Sequence, residues 1–319
     1  MRMVYLDTSH FDILSRVMEN RPNAFLEFIS AWKQNQFVLA LTKVHVEEIM
    51  ALSHAESRDV RFALLEHFIP FQYESENFFE REVLIELSRK GLVLPTDGEV
   101  SLRSKFFVDG VKSREQLLEI KAAHSVLRPI HVLMNKAHRV SWQAAGQAKP
   151  SKGKQPRTTD LSGRIFGKLF YWFTGLFGLN EPSWSSRGLS LSRFMQDLSF
   201  RLKVKFAIRS KLGVKVLDNT SSKTALDTLL ITDCKGLWLR QEVEEKLKRA
   251  NDFDVSNERD LDHVQYYPYV DLFLTDKRII NKLGQVTANH KDLVWLTELQ
   301  PPLHTRDTLE SLTGALFTE

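Results

Sequence analysis

The sequence predicts an α/β protein in which helices cover a central parallel β-sheet. Apolar runs of strand length occur at residues 3–6, 36–41 and 270–274, and their near-continuous hydrophobicity is typical of strands buried on both faces. Segments with helical periodicity lie between these runs and can carry the chain from one strand to the next. Acids follow the first and last runs, which indicates a ligand site at one edge of the sheet.

The composition indicates a globular protein that stays inside the cell. The 319 residues are 43% hydrophobic and 10% aromatic, enough to bury a large core as one extended domain or two. The single cysteine, Cys234, excludes an intrachain disulfide and a cysteine-based zinc cluster, and it suits a reducing compartment. Asp7 and His10 interrupt the amino terminus where a secretory signal needs an apolar stretch, so we expect a cytoplasmic location.

The first half of the chain is expected to be mainly helical around two strands. Apolar residues recur at helical spacing over residues 9–34, 43–51, 54–90 and about 113–138. Pro22 is expected to divide the first of these segments into two helices. Thr42 is placed to cap the second segment, and Pro129 is expected to kink the last one.

The middle of the chain is rich in basic and aromatic residues. Residues 145–160 combine glycine, proline and lysine, which predicts a flexible basic loop. Residues 165–179 are apolar but fall short of the roughly 20 residues of a membrane span, which favours a core or partner-binding helix over stable membrane insertion. Residues 201–215 are basic without an interleaved acid. Nucleic-acid contacts are expected there from Arg201, Lys205 and Arg209.

The carboxyl-terminal part is expected to return to alternating helices and strands. The predicted elements are helices over residues 222–249, 277–283 and 307–316 and a closing strand over residues 292–296. Trp238 and Leu239 are expected to be buried within the first of these helices.

Two acids follow predicted strands, Asp7 directly after the first and Asp276 one residue beyond the end of the last. The carboxyl ends of parallel strands open onto the crevice where α/β proteins bind ligands. Two carboxylates about 4 Å apart repel each other by roughly 4 kcal/mol at an effective dielectric constant of about 20, so the pair needs a proton or a cation. The pattern therefore favours a divalent metal ion between them.

Two further acids are candidates for the same site. Glu48 lies on the predicted helix over residues 43–51, and we prefer it to Glu47 as the inward-facing acid. Asp262 begins the helical segment that leads into the last predicted strand, and Asp260 is its rival. Carboxylates are the ligands that hard cations such as Mg²⁺ and Mn²⁺ prefer, so a sparse set of acids is sufficient.

Taken in order along the chain, these motifs resemble a PIN domain. The similarity rests on Asp-Thr-Ser at residues 7–9, the glutamate within residues 44–49, an acid near Asp262, and Leu-Thr-Asp-Lys-Arg at residues 274–278. It implies a Rossmann-like nuclease fold in which three or four acids hold Mg²⁺ or Mn²⁺. Many members of this family cut single-stranded RNA, including bacterial toxin–antitoxin ribonucleases.

The resemblance implies a discontinuous nuclease core at residues 1–55 and 220–319, interrupted by a large helical insertion at residues 56–219. This insertion makes the chain much longer than an ordinary PIN domain. The third acid also lies closer to the fourth than in the toxin-type members. Its identity stays open between Asp260, Asp262 and Asp271.

The site implied by this resemblance has an inner and an outer set of residues. The catalytic and metal-binding acids are Asp7, Glu48, Asp262 and Asp276. The residues expected to support the ion and its waters are Thr8, Thr275 and Asp271. Lys277 and Arg278 are expected to meet a substrate phosphate. His45 and His263 lie beside proposed ligands, and we expect them to pack against the site rather than act as a general base.

The protein is expected to be a metal-dependent endonuclease that hydrolyses the phosphodiester bonds of single-stranded RNA. The expected biological role is that of a toxin or a defence ribonuclease. The partners that this function implies are RNA, a protein inhibitor or a second copy of the chain. The alternative is a catalytically inactive PIN-like scaffold that binds nucleic acid or a protein. Cleavage that depends on a divalent metal distinguishes the two.

Overall fold

The structure is a computed structural model that describes residues 1–74, 78–90, 107, 109–147, 200, 204, 228–249, 257–305 and 308–317. Its centre is a six-stranded sheet. The strands are β1 (Arg2–Leu6), β2 (Phe37–Thr42), β3 (Phe71–Glu74), β4 (Asp109–Val111), β5 (Leu272–Thr275) and β6 (Leu303–His304). The strand order is β4-β3-β2-β1-β5-β6, and all neighbouring strands are parallel except β3 and β4. The predicted α/β class with a mainly parallel sheet is confirmed.

Helices flank this sheet at the positions where the sequence has helical periodicity. Those described are α1 (Thr8–Asn20), α2 (Pro22–Gln34), α3 (Lys43–Ala51), α4 (Ala55–Glu66), α5 (Phe78–Arg89), α6 (Arg114–Gln147), α7 (Lys235–Arg249), α8 (Asn257–Val264), α9 (Lys277–Asn289), α10 (Val294–Thr297) and α11 (Leu309–Phe317). Pro22 begins α2 as predicted, because its fixed φ suits the first helical turn. The bounds of α3 agree with the prediction.

The sheet is buried on both faces because its side chains alternate between them. In β1, Val4 and Leu6 belong to a core that includes residues of α1, α2 and α11. Tyr5, between them, belongs to a second core with residues of α7, α8 and α9. Phe273 of β5 points into that second core as well. This period of two is what a strand buried between two helical layers requires.

The strand register brings several strand ends to one edge of the sheet. Leu6 of β1 pairs with Leu274 of β5, so the residues that follow the two strands leave the sheet together. Thr42, the last residue of β2, is aligned with Glu74 at the end of β3. The starts of α1, α3 and α9 therefore lie along the same carboxyl edge.

Two elements differ from the sequence prediction. Residues 54–90 were expected to be helical, but strand β3 lies between α4 and α5 and buries Phe71 and Tyr73 against β2. Residues 292–296 were expected to form a strand, but the chain forms the short helix α10 there. Val294 is 65% exposed, so this apolar run does not supply the buried face that a sheet strand needs. The parallel edge strand is β6, beyond Pro302.

The division of the chain also differs from the prediction. One compact unit comprises Met1–Ala145 and Thr220–Glu319, and Gly146–Asn219 forms another. The predicted boundary at residue 55 is too early, because β3 and β4 belong to the central sheet. The basic loop beyond residue 147, the aromatic run at 165–179 and the predicted contacts Arg201, Lys205 and Arg209 lie outside the described residues. Among the helices that are described, none is long and apolar enough to cross a membrane.

Candidate functional site

Asp7 occupies the carboxyl end of β1, where the backbone turns into α1. Its amide donates to the carbonyl of Leu274 in β5 (3.1 Å), which joins the ends of the two strands. Oδ1 accepts a hydrogen bond from the amide of Ser9 (3.4 Å) and caps α1, while Oδ2 accepts one from the hydroxyl of Thr275 (3.2 Å). The side chain is nearly buried, with 7% of its residue surface exposed. The Asp7 carboxylate is therefore held by both strands at the sheet edge.

Asp276 follows β5 in the same way and caps α9. Its Oδ1 accepts a hydrogen bond from the amide of Ile279 (2.9 Å), and its Oδ2 lies 4.0 Å from a guanidinium nitrogen of Arg278. Because β1 and β5 are parallel neighbours, Asp7 and Asp276 emerge from the same edge of the sheet. Capping uses one oxygen of each carboxylate, so it does not exhaust what either acid can bind.

Asp260 of α8 is the third acid at this edge. Its Oδ2 accepts a hydrogen bond from Arg278 (2.7 Å). Burial, together with the negative charges of Asp7 and Asp276, raises the pKa of Asp260 to about 7 even though His263 and Arg278 oppose the rise. Two nearby carboxylates and burial thus outweigh the paired guanidinium. The cluster is short of positive charge, which is the condition under which a carboxylate site binds a proton or a cation.

Glu48 of α3 joins the cluster from the other side of β1. It accepts a short hydrogen bond from the hydroxyl of Thr8, and its two oxygens lie 3.1 Å from Nε2 of His263 and 3.5 Å from Arg259. Burial alone would raise the pKa of Glu48, but the charge of His263 and these hydrogen bonds lower it to about 2. Glu48 is therefore ionised across the physiological range.

His263 of α8 is the buried cation that holds Glu48. Its Nδ1 lies 2.5 Å from the hydroxyl of Tyr5 in β1, so the imidazole bridges a sheet residue and the α3 carboxylate. Burial opposes protonation, but Glu48, Asp7 and Asp260 raise the pKa of His263 to about 9. An imidazolium at this position donates from both ring nitrogens and fixes the orientation of Glu48.

His45 plays a different part, as the third residue of α3, where it forms a capping box with the N-cap residue Thr42. Its Nδ1 accepts a hydrogen bond from the amide of Thr42 (3.0 Å), so its Nε2 carries the proton and donates to the carbonyl of Leu6 (2.8 Å). Burial and the nearby charge of His263 lower the pKa of His45 to about 3. The neutral ring ties α3 to the end of β1, which agrees with the packing role expected for it.

Three acids considered from the sequence lie elsewhere. Asp262, predicted as a metal ligand, pairs with Arg240 of α7 (3.1 Å), because two residues along a helix turn its side chain to a different face from that of Asp260. Asp271 precedes β5 and accepts a hydrogen bond from the amide of Met3 (2.6 Å). It therefore lies at the opposite end of the strand from Asp276, roughly 16 Å away at about 3.3 Å per residue. Glu47 pairs with Lys43 (3.6 Å) on the outer side of α3.

The supporting residues are divided in the same way. Thr8 donates a hydrogen bond to Glu48, and Thr275 donates one to Asp7. Lys277 is exposed in the first turn of α9, while Arg278 turns inward to Asp260. Arg259, which the sequence did not single out, contacts Glu48. A signal for α8 was available, since Asp260 and His263 are three residues apart and share a helical face.

The donor chemistry of this cluster suits a hard divalent cation, but the side chains as they stand do not enclose one. Within the described ranges, no three His, Cys, Asp or Glu side chains are grouped closely enough to hold a metal ion. Instead, Arg278 lies between Asp260 and Asp276, and His263 and Arg259 flank Glu48. The structure therefore shows the acids in an ion-paired arrangement.

Known proteins contribute nothing further to the assignment of this site. Comparison of the chain with protein-family models, with curated proteins and with solved structures found no match. The resemblance to PIN domains rests on the sequence motifs alone.

Proposed function

We propose that this protein is a divalent-metal-dependent phosphodiesterase that cuts RNA internally. The observation that carries the proposal is that Asp7 and Asp276 leave the same edge of the sheet, while Asp260 shares Arg278 with Asp276 and has its pKa raised by burial and by the charges of both acids. This differs from the sequence hypothesis in one ligand, because Asp260 takes the place given to Asp262. Glu48 completes the set from α3.

Helix capping accounts for only part of this arrangement. Asp7 and Asp276 cap helices, but Asp260 lies within α8, near enough to the two other acids for their charges to raise its pKa. Placing like charges together in a buried position costs free energy, which a purely structural acid has no reason to incur. Perturbed carboxylates of this kind are concentrated at functional sites.

The proposed chemistry divides between the ion and the chain. The chemistry that Mg²⁺ or Mn²⁺ would supply at such a site is activation of a water molecule near neutral pH and stabilisation of charge on the phosphate oxygens. Asp7, Asp260 and Asp276 would hold the ion, and His263 with Thr8 would keep Glu48 ionised and oriented toward it. Lys277 is exposed beside the site, where it can contact a substrate phosphate. The choice of RNA over DNA comes from the family resemblance.

The test is metal-dependent cleavage by matched acid variants. Wild type and the variants D7N, D260N, D276N and D262N are incubated with single-stranded RNA and single-stranded DNA in Mn²⁺, Mg²⁺ or EDTA. We expect the first three substitutions to lower the rate by about 100-fold or more, equivalent to roughly 2.7 kcal/mol of activation free energy. D262N, two residues from Asp260 on the same helix, should retain activity. Equal cleavage by D262N and D260N, or persistence in EDTA, would contradict the proposal.

The second candidate is a scaffold that binds nucleic acid without cutting it. The ion pairs of Asp260 with Arg278, and of Glu48 with Arg259 and His263, favour it. They give these carboxylates a positively charged partner without any metal. Under this alternative, the wild-type protein binds RNA but leaves it intact in every metal tested. D260N would then change RNA binding no more than D262N does.

A further inference from the structure

Arginines from two helices are paired with the acids of the candidate site. Arg278, in the first turn of α9, lies 2.7 Å from Asp260 and 4.0 Å from Asp276. Arg259 of α8 lies 3.5 Å from Glu48. Each guanidinium contacts a carboxylate that a divalent ion would need.

We propose that Arg278 is a built-in counter-ion that competes with the divalent cation for Asp260 and passes to a phosphate of the nucleic acid when both ligands bind. The inference rests on the proposed function and adds its regulation. Metal and nucleic acid then bind cooperatively, because the phosphodiester takes the guanidinium that the metal displaces. A guanidinium is suited to both partners, since its planar donors match carboxylate and phosphate equally well.

The surroundings of Arg278 allow this exchange, whereas those of His263 do not. The Arg278 side chain is 33% exposed and can reach a ligand in solvent, while the His263 side chain is 1% exposed and fixed between Glu48 and Tyr5. His263 and Arg278 thus differ in kind. One is a permanent part of the core, and the other lies at the surface of the site.

The position of Arg278 on its helix supports the same conclusion. The first turn of α9 holds Lys277 and Arg278 but no acid. Cations are unfavourable near a helix N-terminus, where the dipole and the amide donors attract anions. The carboxylates of Asp276, which caps α9, and of Asp260 offset that cost in the structure, and a substrate phosphate would serve in place of Asp260 in the complex.

Because Arg278 competes with the divalent cation for Asp260, removing its positively charged side chain should strengthen binding of the cation. We expect R278A and R278Q to bind Mn²⁺ about 10-fold more tightly than wild type in the absence of nucleic acid. A short single-stranded RNA with phosphorothioate linkages should tighten Mn²⁺ binding to wild type several-fold and should have little such effect on either variant.

The measurement is a titration of free Mn²⁺ by electron paramagnetic resonance, which requires no catalysis. R240A is the matched control, because Arg240 is similarly exposed and pairs with Asp262 on the opposite side of α8. Its loss removes the same charge from the protein and should leave Mn²⁺ affinity unchanged. R278K, which keeps the charge, should bind Mn²⁺ as weakly as wild type. Circular dichroism and thermal unfolding confirm that each variant is folded.

The outcomes separate the inference from the proposed function. If wild type, R278A and R278Q all bind Mn²⁺ with equal affinity, or if the variants bind it more weakly, the counter-ion role is wrong while the metal site stands. If R240A strengthens Mn²⁺ binding as much as R278A does, the effect is one of overall charge and the inference fails. If wild type and D260N both fail to bind Mn²⁺, the metal-dependent function itself fails.

Discussion

Asp260 and Asp262 show how strongly a single helical position determines the chemistry of a side chain. They are two residues apart on α8, yet Asp260 has a pKa raised to about 7, while Asp262 pairs with Arg240. A rotation of about 200° separates them on a helix with 3.6 residues per turn. His263 is three residues from Asp260 and shares its side of the helix. The local sequence therefore offers two acids for one position, and the rotation of α8 brings Asp260 near Asp7 and Asp276 while Asp262 pairs with Arg240.

The pair between Glu48 and His263 should stabilise the fold in a defined pH window. His263 has its pKa raised from 6.5 to about 9, so its contribution is complete below pH 6.5 and is lost as the pH rises through 9. Glu48 has its pKa lowered from 4.5 to about 2, so its contribution is complete above pH 4.5 and is lost as the pH falls through 2. The pair is fully effective between pH 4.5 and 6.5.

Removing either partner leaves the other as a buried charge without its nearest counter-ion. We expect E48Q to lower the free energy of unfolding at pH 6 by about 3 kcal/mol and H263Q by a similar amount. The double variant should lose much less than the sum, because neither charge then remains. Urea unfolding of the three variants and wild type measures this coupling. Additive losses would show that the two side chains stabilise the fold independently, and E47Q on the outer side of α3 serves as the control.

At the scale of elements, the start of α7 packs so closely against its neighbours that it requires a glycine, Gly236. A Cβ atom at Gly236 would overlap the carbonyl oxygen of Gln265 and the ring of Phe78. The amide of Gly236 also donates to the buried carboxylate of Glu82 (2.6 Å) in α5. This close approach holds α5, α7 and the segment after α8 together, and α8 carries Asp260.

Two glycine-to-alanine substitutions should therefore have opposite effects. G236A should destabilise the protein by about 2 kcal/mol or more, because backbone and a ring must move to admit the methyl group. G284A in α9 meets nothing within 4 Å and should stabilise by about 0.5 to 1 kcal/mol, the usual preference for alanine within a helix. Thermal unfolding of both variants measures the difference. A neutral G236A would mean that α7 packs more loosely than the structure shows.

The errors in predicting elements have a common physical origin. The strand expected at residues 292–296 is the helix α10, since a short apolar run is compatible with either state until its burial is known. The strand β3 was missed inside a segment with helical character, because its pairing with β2 and β4 supplies the hydrogen bonds. Longer segments with clear periodicity, such as α2 and α3, were predicted with nearly correct bounds.

At the scale of the whole molecule, a cation that binds the cluster should stabilise the folded protein. At a concentration 100-fold above the dissociation constant, Mn²⁺ would contribute about 2.7 kcal/mol. The unfolding temperature should rise by roughly 1.5 °C for each kcal/mol, because a chain of 319 residues has a large entropy of unfolding. The shift should be absent in D7N and D260N and present in D262N, as thermal unfolding with and without Mn²⁺ would show.

The same stabilisation should depend on pH through Asp260. Its pKa is raised from 3.8 to about 7, so below pH 7 the folded site holds a proton that the ion must displace. Without metal, the free energy of unfolding should fall as the pH rises from 3.8 to about 7, because Asp260 is harder to ionise in the folded protein than in the unfolded chain. We therefore expect a larger Mn²⁺-induced shift at pH 8 than at pH 6. An equal shift at both values would indicate that Asp260 takes no part in binding.

The sequence by itself determined the class of fold and the strand-end acids. Continuous apolar runs specify strands buried on both faces, and such strands pair in parallel with helices between them. Asp7 and Asp276 follow two of these runs, so their place at the carboxyl edge needed no knowledge of the helical layers. Glu48 was preferred over Glu47 from the helical pattern, and the structure places it inward.

Only the tertiary structure decided which charges meet. The choice of Asp260 over Asp262, the exclusion of Asp271 and the inward turn of Arg278 depend on how α8 and α9 rotate against β1 and β5. That rotation is set by the packing of α7, α8 and α9 on the face that carries Tyr5 and Phe273. Such contacts join residues more than 200 positions apart, as between Tyr5 and His263, and local sequence holds no record of them.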